Sequence, residues 1–399
     1  VRLFRTASQF TLALTASAAA VTFSTPSALA FPELVRHGYP SCVTCHVSPS
    51  GGGVLNGYGR ELSREILSWP GAGPLKVKET ESGFAHGVVG ELPEWLALGG
   101  DARVVNYSLT GPNTDQQDWI PMQLDFEAAV TWKTLTLVGT LGQEFLRTRD
   151  PITRETQWDG NFTSRRHYLL WRPLDQLSVR TGLFMPSYGL NTAEHNLVIR
   201  RGIGFLDQGN ETHNLEIGFL EGPWEIHATA IFGRRRGIDW GTTLRPGVEL
   251  ERGEAVMVSY FLAPRSKLGF SYYGGKTSDG SSRTVLGPFG ILGLSEHAFI
   301  MGEMDFVSRK AETPAPGAIA QYLRADYEFV RGFHVYLLQQ YLKSNLDRAD
   351  SARIRYGLGV QMFPRPHFEI QADIQRDEAA NNLAEGAFTL TTILFHYYL

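Results

Sequence analysis

The chain has 399 residues, 20% of them charged, and a formal net charge of -4. That balance lacks the basic face a nucleic-acid-binding protein needs, and the length allows one large domain or two ordinary ones. After Ala30 no run of 18 consecutive apolar residues occurs, which excludes membrane-spanning helices.

The first 30 residues have the layout of an export signal. Arg2 and Arg5 form a positive start, "FTLALTASAAAVTF" an apolar centre, and "SALA" a small-x-small end at Ala30. Residues 1–30 are therefore expected to be a signal peptide, which leaves the periplasm, the outer membrane or the exterior as destination.

The segment 31–68 holds both cysteines of the chain, Cys42 and Cys45, within "HGYPSCVTCHVSPSGGG". In an exported protein a C-x-x-C pair can close into a disulfide. A zinc site needs further ligands, and His37 and His86 do not stand at zinc-finger spacing. His46 follows Cys45 directly, so "CVTCH" has the pattern of c-type haem attachment. In that chemistry two thiols form thioethers to the porphyrin vinyls, and the adjacent histidine is the proximal iron ligand. One covalently bound haem c on Cys42, Cys45 and His46 is the expectation. No methionine lies between Phe31 and Leu96, so His37 and His86 are the local candidates for a distal ligand, with the following domain or an open position as alternatives. Beyond the glycine-rich turn, "YGRELSREIL" reads as one short helix with Leu62 and Ile66 on its apolar side. Residues 69–96 read as a linker or plug.

From residue 97 to residue 399 the texture has period 2. In "PMQLDFEAAVTW", Met122, Leu124, Phe126, Ala128, Val130 and Trp132 share one face, opposite Gln123, Asp125, Glu127 and Thr131. Sixteen strands are expected, at 97–109, 118–132, 134–148, 165–174, 177–189, 211–221, 224–235, 251–263, 267–277, 285–295, 298–309, 318–330, 333–346, 352–363, 367–376 and 386–399. Tight connections ("WKT", "EGP", "VRG") alternate with long polar ones, and "TTILFHYYL" ends the chain as a closing strand. These features predict an all-β fold: an antiparallel transmembrane β-barrel of about 16 strands, preceded by a small helical and loop haem segment. Its inward face is expected to carry Asp125, Glu127, Glu144, Arg180, Glu303, Asp305, Arg324, Asp326, Glu328, Glu369 and Asp373.

A CxxCH segment at Cys42, Cys45 and His46 followed directly by a barrel resembles the outer-membrane cytochrome–porin fusions, among them the iron-oxidising outer-membrane cytochromes. The resemblance implies haem-mediated electron transfer across the outer membrane, with haem at the periplasmic side or within the lumen. It implies outer-membrane lipid around the barrel and a periplasmic electron carrier, a cytochrome or copper protein. It also implies an extracellular metal-ion donor such as ferrous iron, whose oxidation would make the chain a cytochrome-type oxidoreductase. The other readings are a general porin with a haem-containing plug or sensor, and a haem-free barrel with a disulfide-closed plug.

Overall fold

A computed structural model describes residues 32–39, 41–71, 92–112, 114–149, 156–192, 194, 197–200, 211–235, 249–311, 316–379 and 387–399. The expected signal peptide, His86 and most of the expected linker lie outside the described residues.

Sixteen strands form one antiparallel sheet that closes on itself. They are β1 (Leu96–Gly111), β2 (Thr114–Trp132), β3 (Leu135–Arg149), β4 (Thr156–Leu174), β5 (Leu177–Phe184), β6 (Thr212–Glu221), β7 (Trp224–Arg235) and β8 (Arg252–Ala263). The second half comprises β9 (Ser266–Lys276), β10 (Ser282–Gly293), β11 (Ala298–Lys310), β12 (Ala318–Val330), β13 (Phe333–Lys343), β14 (Ala352–Arg365), β15 (Phe368–Ala379) and β16 (Phe388–Tyr398). The pair Glu249–Leu250 adds a short rung beside the end of β7. Each strand pairs with its sequence neighbour, and β1 pairs with β16 from Asp101↔Tyr398 to Thr110↔Thr389. Closure leaves no edge with unpaired backbone groups, the condition for a sheet surrounded by hydrocarbon.

Alternation sets what each face meets. On β2, Leu124, Phe126, Val130 and Trp132 point outward and are exposed, whereas Gln123, Asp125, Glu127 and Ala129 are buried within. Trp132, Trp171, Trp224 and Tyr260 are exposed beside the tight turns, forming an aromatic rim at that end. Asp125, Glu127, Arg180, Glu303, Asp305, Arg324, Asp326, Glu328, Glu369 and Asp373 are buried on the lumen side, as the pattern predicts. The side chain of Glu144 lies outside the described ones.

Four details differ from the sequence reading. β4 starts at Thr156 rather than 165, because the paired extension Arg149↔Thr156 to Leu141↔Ser164 carries the hairpin further. The expected strand 177–189 stops at Phe184, where Pro186, lacking an N–H, cannot continue a ladder and the chain turns inward. Met122 is not on the outward face. A bulge that pairs Arg103 with Gln123 but Val104 with Pro121 leaves Met122 as an extra residue, and it lines the lumen. The short helix is composite: an α-turn over Gly57–Leu62 passes into a π-turn over Ser63–Leu67. The longer turn makes Leu67, rather than Ile66, the fully buried partner of Leu62.

Two further pieces occupy the lumen. The inward loop after β5 is tied to the opposite wall. Tyr188 donates its hydroxyl to Asp305 at 2.8 Å, the Leu190 N–H donates to Glu303 at 2.6 Å, and Gly189 N–H donates to Ser271 Oγ at 2.8 Å. The N-terminal residues 32–71 fill the end bounded by the tight turns. Arg60 donates to the Leu98 carbonyl near the start of β1, at 3.0 Å, and Ser63 meets the Tyr398 hydroxyl at the end of β16, at 2.8 Å. Trp69 N–H donates to the Phe363 carbonyl at 2.8 Å.

Candidate functional site: the CxxCH segment in the barrel lumen

The motif begins on one tight turn. Cys42–Thr44 is a 3-10 helix, with Cys45 N–H and His46 N–H donating to the Cys42 carbonyl at 3.3 and 3.1 Å. The chain then reverses through Ser48–Gly53, so that His46 bridges Leu55 and Val47 N–H donates to the Val54 carbonyl at 3.0 Å. Asn56 closes the unit. Its Oδ1 accepts from Gly59 N–H at 2.8 Å, capping the following helix, and its Nδ2 donates to the Thr44 carbonyl at 2.6 Å.

The reversal depends on three glycines in the left-handed region, Gly51, Gly52 and Gly53, with φ of +83°, +73° and +70°. Close approach adds a second reason. A Cβ on Gly51 would stand 2.9 Å from Cys42 Sγ, and one on Gly53 would stand 2.7 Å from Arg166 Nη1.

His46 is buried, and its Nδ1 donates to the Gly53 carbonyl at 3.2 Å in the tautomer that leaves Nε2 without a proton. Burial, aided by the nearby Arg166 charge, lowers its pKa from 6.5 to about 4, so the ring is neutral at pH 7. A neutral imidazole fixed through Nδ1 is the form that ligates a metal through Nε2. Cys42 opens on the lumen yet lies deep in the barrel, and desolvation pushes its thiol up to about 11. Cys42 and His46 line a cavity of about 820 Å³ between the segment and the barrel wall. That volume is in the range of a cofactor pocket, about 300–1,000 Å³. Cys45 faces the other way, into an apolar cluster with Leu34, Leu55, Leu62, Leu67, Phe363 and Tyr398.

In kind, these donors fit a c-type haem: two thiols and a neutral, oriented histidine beside a cavity of suitable size. In orientation, Cys42 and His46 meet the cavity, and Cys45 must turn out of its cluster to join them. Among the described residues no group of three or more His, Cys, Asp and Glu side chains is arranged to hold a metal ion. The structure gives His37 a partner of its own. It accepts from Arg36 Nε at 3.3 Å, and its electrostatic neighbours are Arg36, Arg265, Glu296 and His334 at the tight-turn rim. Burial, with Arg36 next to it, holds His37 down to about 4.

Sequence reading missed the arginines that hold the segment. Arg180 donates to Ser48 Oγ at 2.9 Å and Ser50 Oγ at 2.7 Å, and Arg172 donates to the Val47 carbonyl at 2.7 Å. Arg36 is fully buried, with Nη2 2.7 Å from Glu328 Oε2 and Nη1 3.9 Å from Asp326 Oδ1. Asn191 of the inward loop donates to the Ser50 carbonyl at 2.6 Å. The available signal was strand alternation, which puts Arg172 in step with the inward-facing Tyr168 and Leu170 of β4 and puts Arg180 on the inward face of β5.

A scan against protein-family models finds no match, and neither does a search of curated proteins. Solved structures do match in fold. OmpT of Vibrio cholerae is 11% identical with a TM-score of 0.56, covering 77% of this chain and 99% of that one. An anion-selective porin from Comamonas acidovorans is 12% identical with a TM-score of 0.56, covering 76% of this chain and 99% of that one. The outer-membrane channel DcaP of Acinetobacter baumannii is 10% identical with a TM-score of 0.53, covering 76% and 97%. The chain has the barrel fold of outer-membrane porins, together with a CxxCH motif at Cys42, Cys45 and His46.

Proposed function

We propose that this chain is an outer-membrane channel of the porin fold whose lumen is closed at the periplasmic end by a segment bearing one covalently attached haem c. The observation that carries the reading is the internal cavity of about 820 Å³, lined on the barrel side by charged as well as apolar side chains and bounded by the N-terminal segment on the other. Asp101, Arg103, Glu127, Arg166, Glu369 and Asp373 keep it wetted, the condition for polar solutes or ions to pass or pause there. The tight-turn end, where both described termini of the barrel lie, is the periplasmic end by the usual layout of such barrels. Residues 31–68 then form the haem-bearing part, 69–96 the linker or plug, and 97–399 the barrel. His46 would be the proximal ligand, with thioethers at Cys42 and Cys45. When bound, the haem would supply one-electron ferric–ferrous chemistry. The chain's own residues neutralise and orient His46, dock the segment through Arg36, Arg172 and Arg180, and exclude lipid from the site.

A second reading, electron transfer across the outer membrane, is favoured by Cys42 and His46 opening on the lumen rather than on lipid. It would use an external donor such as ferrous iron and a periplasmic carrier. Planar-bilayer conductance of the haem-loaded chain separates the two when compared with electron delivery to an acceptor trapped in liposomes. Solute-dependent conductance that rises on removing residues 31–71 supports the channel. A closed barrel that reduces the trapped acceptor on addition of ferrous iron replaces it with the electron conduit.

A further inference from the structure

Alternation along β4 would put only one of the neighbours Arg165 and Arg166 inside the barrel. Both are inside, because β4 bulges there: Thr140 pairs with Arg166, Leu141 pairs with Ser164, and Arg165 is the extra residue. The two arginines then meet different partners. Arg165 forms an ion pair with Asp125 at 2.9 Å and donates to the Gln143 carbonyl at 3.2 Å. Arg166 is carried over the glycine loop, with Gly53 and Gly52 bare of side chains beneath its Nη1. Its one ion pair, to Glu127, is 3.8 Å long, too far for a hydrogen bond, and among the described residues its guanidinium makes none. Arg172 and Arg180, by contrast, donate to the segment itself. Arg166 lines the same cavity as Cys42 and His46, and Cys42 lies against the Gly51 end of the loop while Arg166 lies over its Gly53 end.

We propose, resting on the haem reading above, that Arg166 is the anchor for a haem propionate, its bulge and the triple glycine together presenting a planar guanidinium with its hydrogen-bond donors unused to a carboxylate. A guanidinium matches a carboxylate through two parallel N–H donors, a charge-assisted pairing stronger than a neutral hydrogen bond. No residue of the N-terminal segment is needed at this end of the site, which explains why the loop beneath it carries no side chains. Arg166 is a positioning residue that also fixes the charge felt by the iron. A cation paired with the propionate disfavours the ferric state relative to the ferrous one, so its loss lowers the midpoint potential. The other charges and titratable groups facing Arg166 are Glu127 and Asp125 of β2, Glu211 before β6, Tyr168 of β4 and His46 of the segment.

The test uses the full haem-matured chain in detergent, with Arg166→Gln and Arg166→Lys. A pyridine haemochrome assay on the unaltered chain comes first; lack of covalent haem there overturns the haem reading itself. With haem present, R166Q is expected to lower the midpoint and to give it a pH slope across about pH 5 to 8, as an unpaired propionate titrates. R166K is expected to restore most of the midpoint, since it keeps the charge without the fork. An R166Q midpoint and pH slope equal to those of the unaltered chain overturn the anchor. Where R166Q does not accumulate, resonance Raman of R166K decides. A shifted propionate bending band supports the paired guanidinium, and an unshifted band overturns it.

Discussion

His46 shows how one side chain is prepared before any ligand arrives. Its pKa is about 4 against 6.5 for an unperturbed imidazole, first through burial, so the unfolded chain binds more protons than the folded one between those values. The stabilisation linked to His46 is therefore complete above about pH 6.5 and is lost as pH falls towards 4. His37 is shifted in the same direction, again first by burial, and acts in the same window. Tryptic cleavage at Arg60 and Arg64 of the haem-free chain is expected to increase on acidification through that range, less so in His46→Gln. Identical profiles for the two proteins would remove His46 from the linkage. Gly53 is the second single-residue case. Gly53→Ala places a Cβ in the left-handed region and against Arg166, and costs about 1–2 kcal/mol for the backbone alone. A lowered urea midpoint for loss of protection at Arg60 checks it.

At the level of elements, irregularities do the aiming. The π-turn sends Leu67 into the apolar cluster, the β2 bulge points Met122 into the lumen, and the β4 bulge brings in Arg165 beside Arg166. The segment as a unit is held by buried charge, above all by Arg36 against Glu328, with Asp326 and His334 close by. Arg36→Gln strands Glu328 without its cation, while Asp326 keeps Arg324 at 2.7 Å, and is expected to cost about 3–5 kcal/mol of docking. Adding Glu328→Gln should recover part of that loss. Conductance noise in planar bilayers reads it: frequent openings in R36Q and fewer in the double variant, whereas traces like those of the unaltered chain would show that Arg36 is not the latch. The Asn56 cap makes a smaller contribution, with Asn56→Ala costing about 1 kcal/mol by the same protease assay.

For the whole molecule, solvent preference is inverted: charge is inside and hydrocarbon outside. Leu337 on β13 is exposed on the outer face between Ala325 and Leu358 of the neighbouring strands. Leu337→Arg puts a cation where lipid tails would lie and is expected to cost about 2–4 kcal/mol near the midplane. Urea titration of folding into phospholipid vesicles measures this, and an equal midpoint would show that this face does not meet hydrocarbon. Serine at the same position should cost less, because a hydroxyl loses less on leaving water than a guanidinium does.

The sequence by itself determined the barrel and the motif, because both are written in local regularities. Period-2 alternation, tight turns such as Gly222 and Gly332, and the five residues from Cys42 to His46 carry their meaning without distant partners. Strand existence was legible for that reason, and strand ends were less so, since β4 and β5 are bounded by pairing and by Pro186. Only the tertiary structure decided what faces what. Where Cys45 points depends on Phe363 and Tyr398, far along the chain, and the surroundings of His37 depend on Arg265, Glu296 and His334. The environment of Arg166 exists only once a bulge in one strand meets a glycine loop more than 100 residues earlier. Alternation predicts a face, but burial, desolvation and the length of an ion pair arise only when distant segments share one lumen.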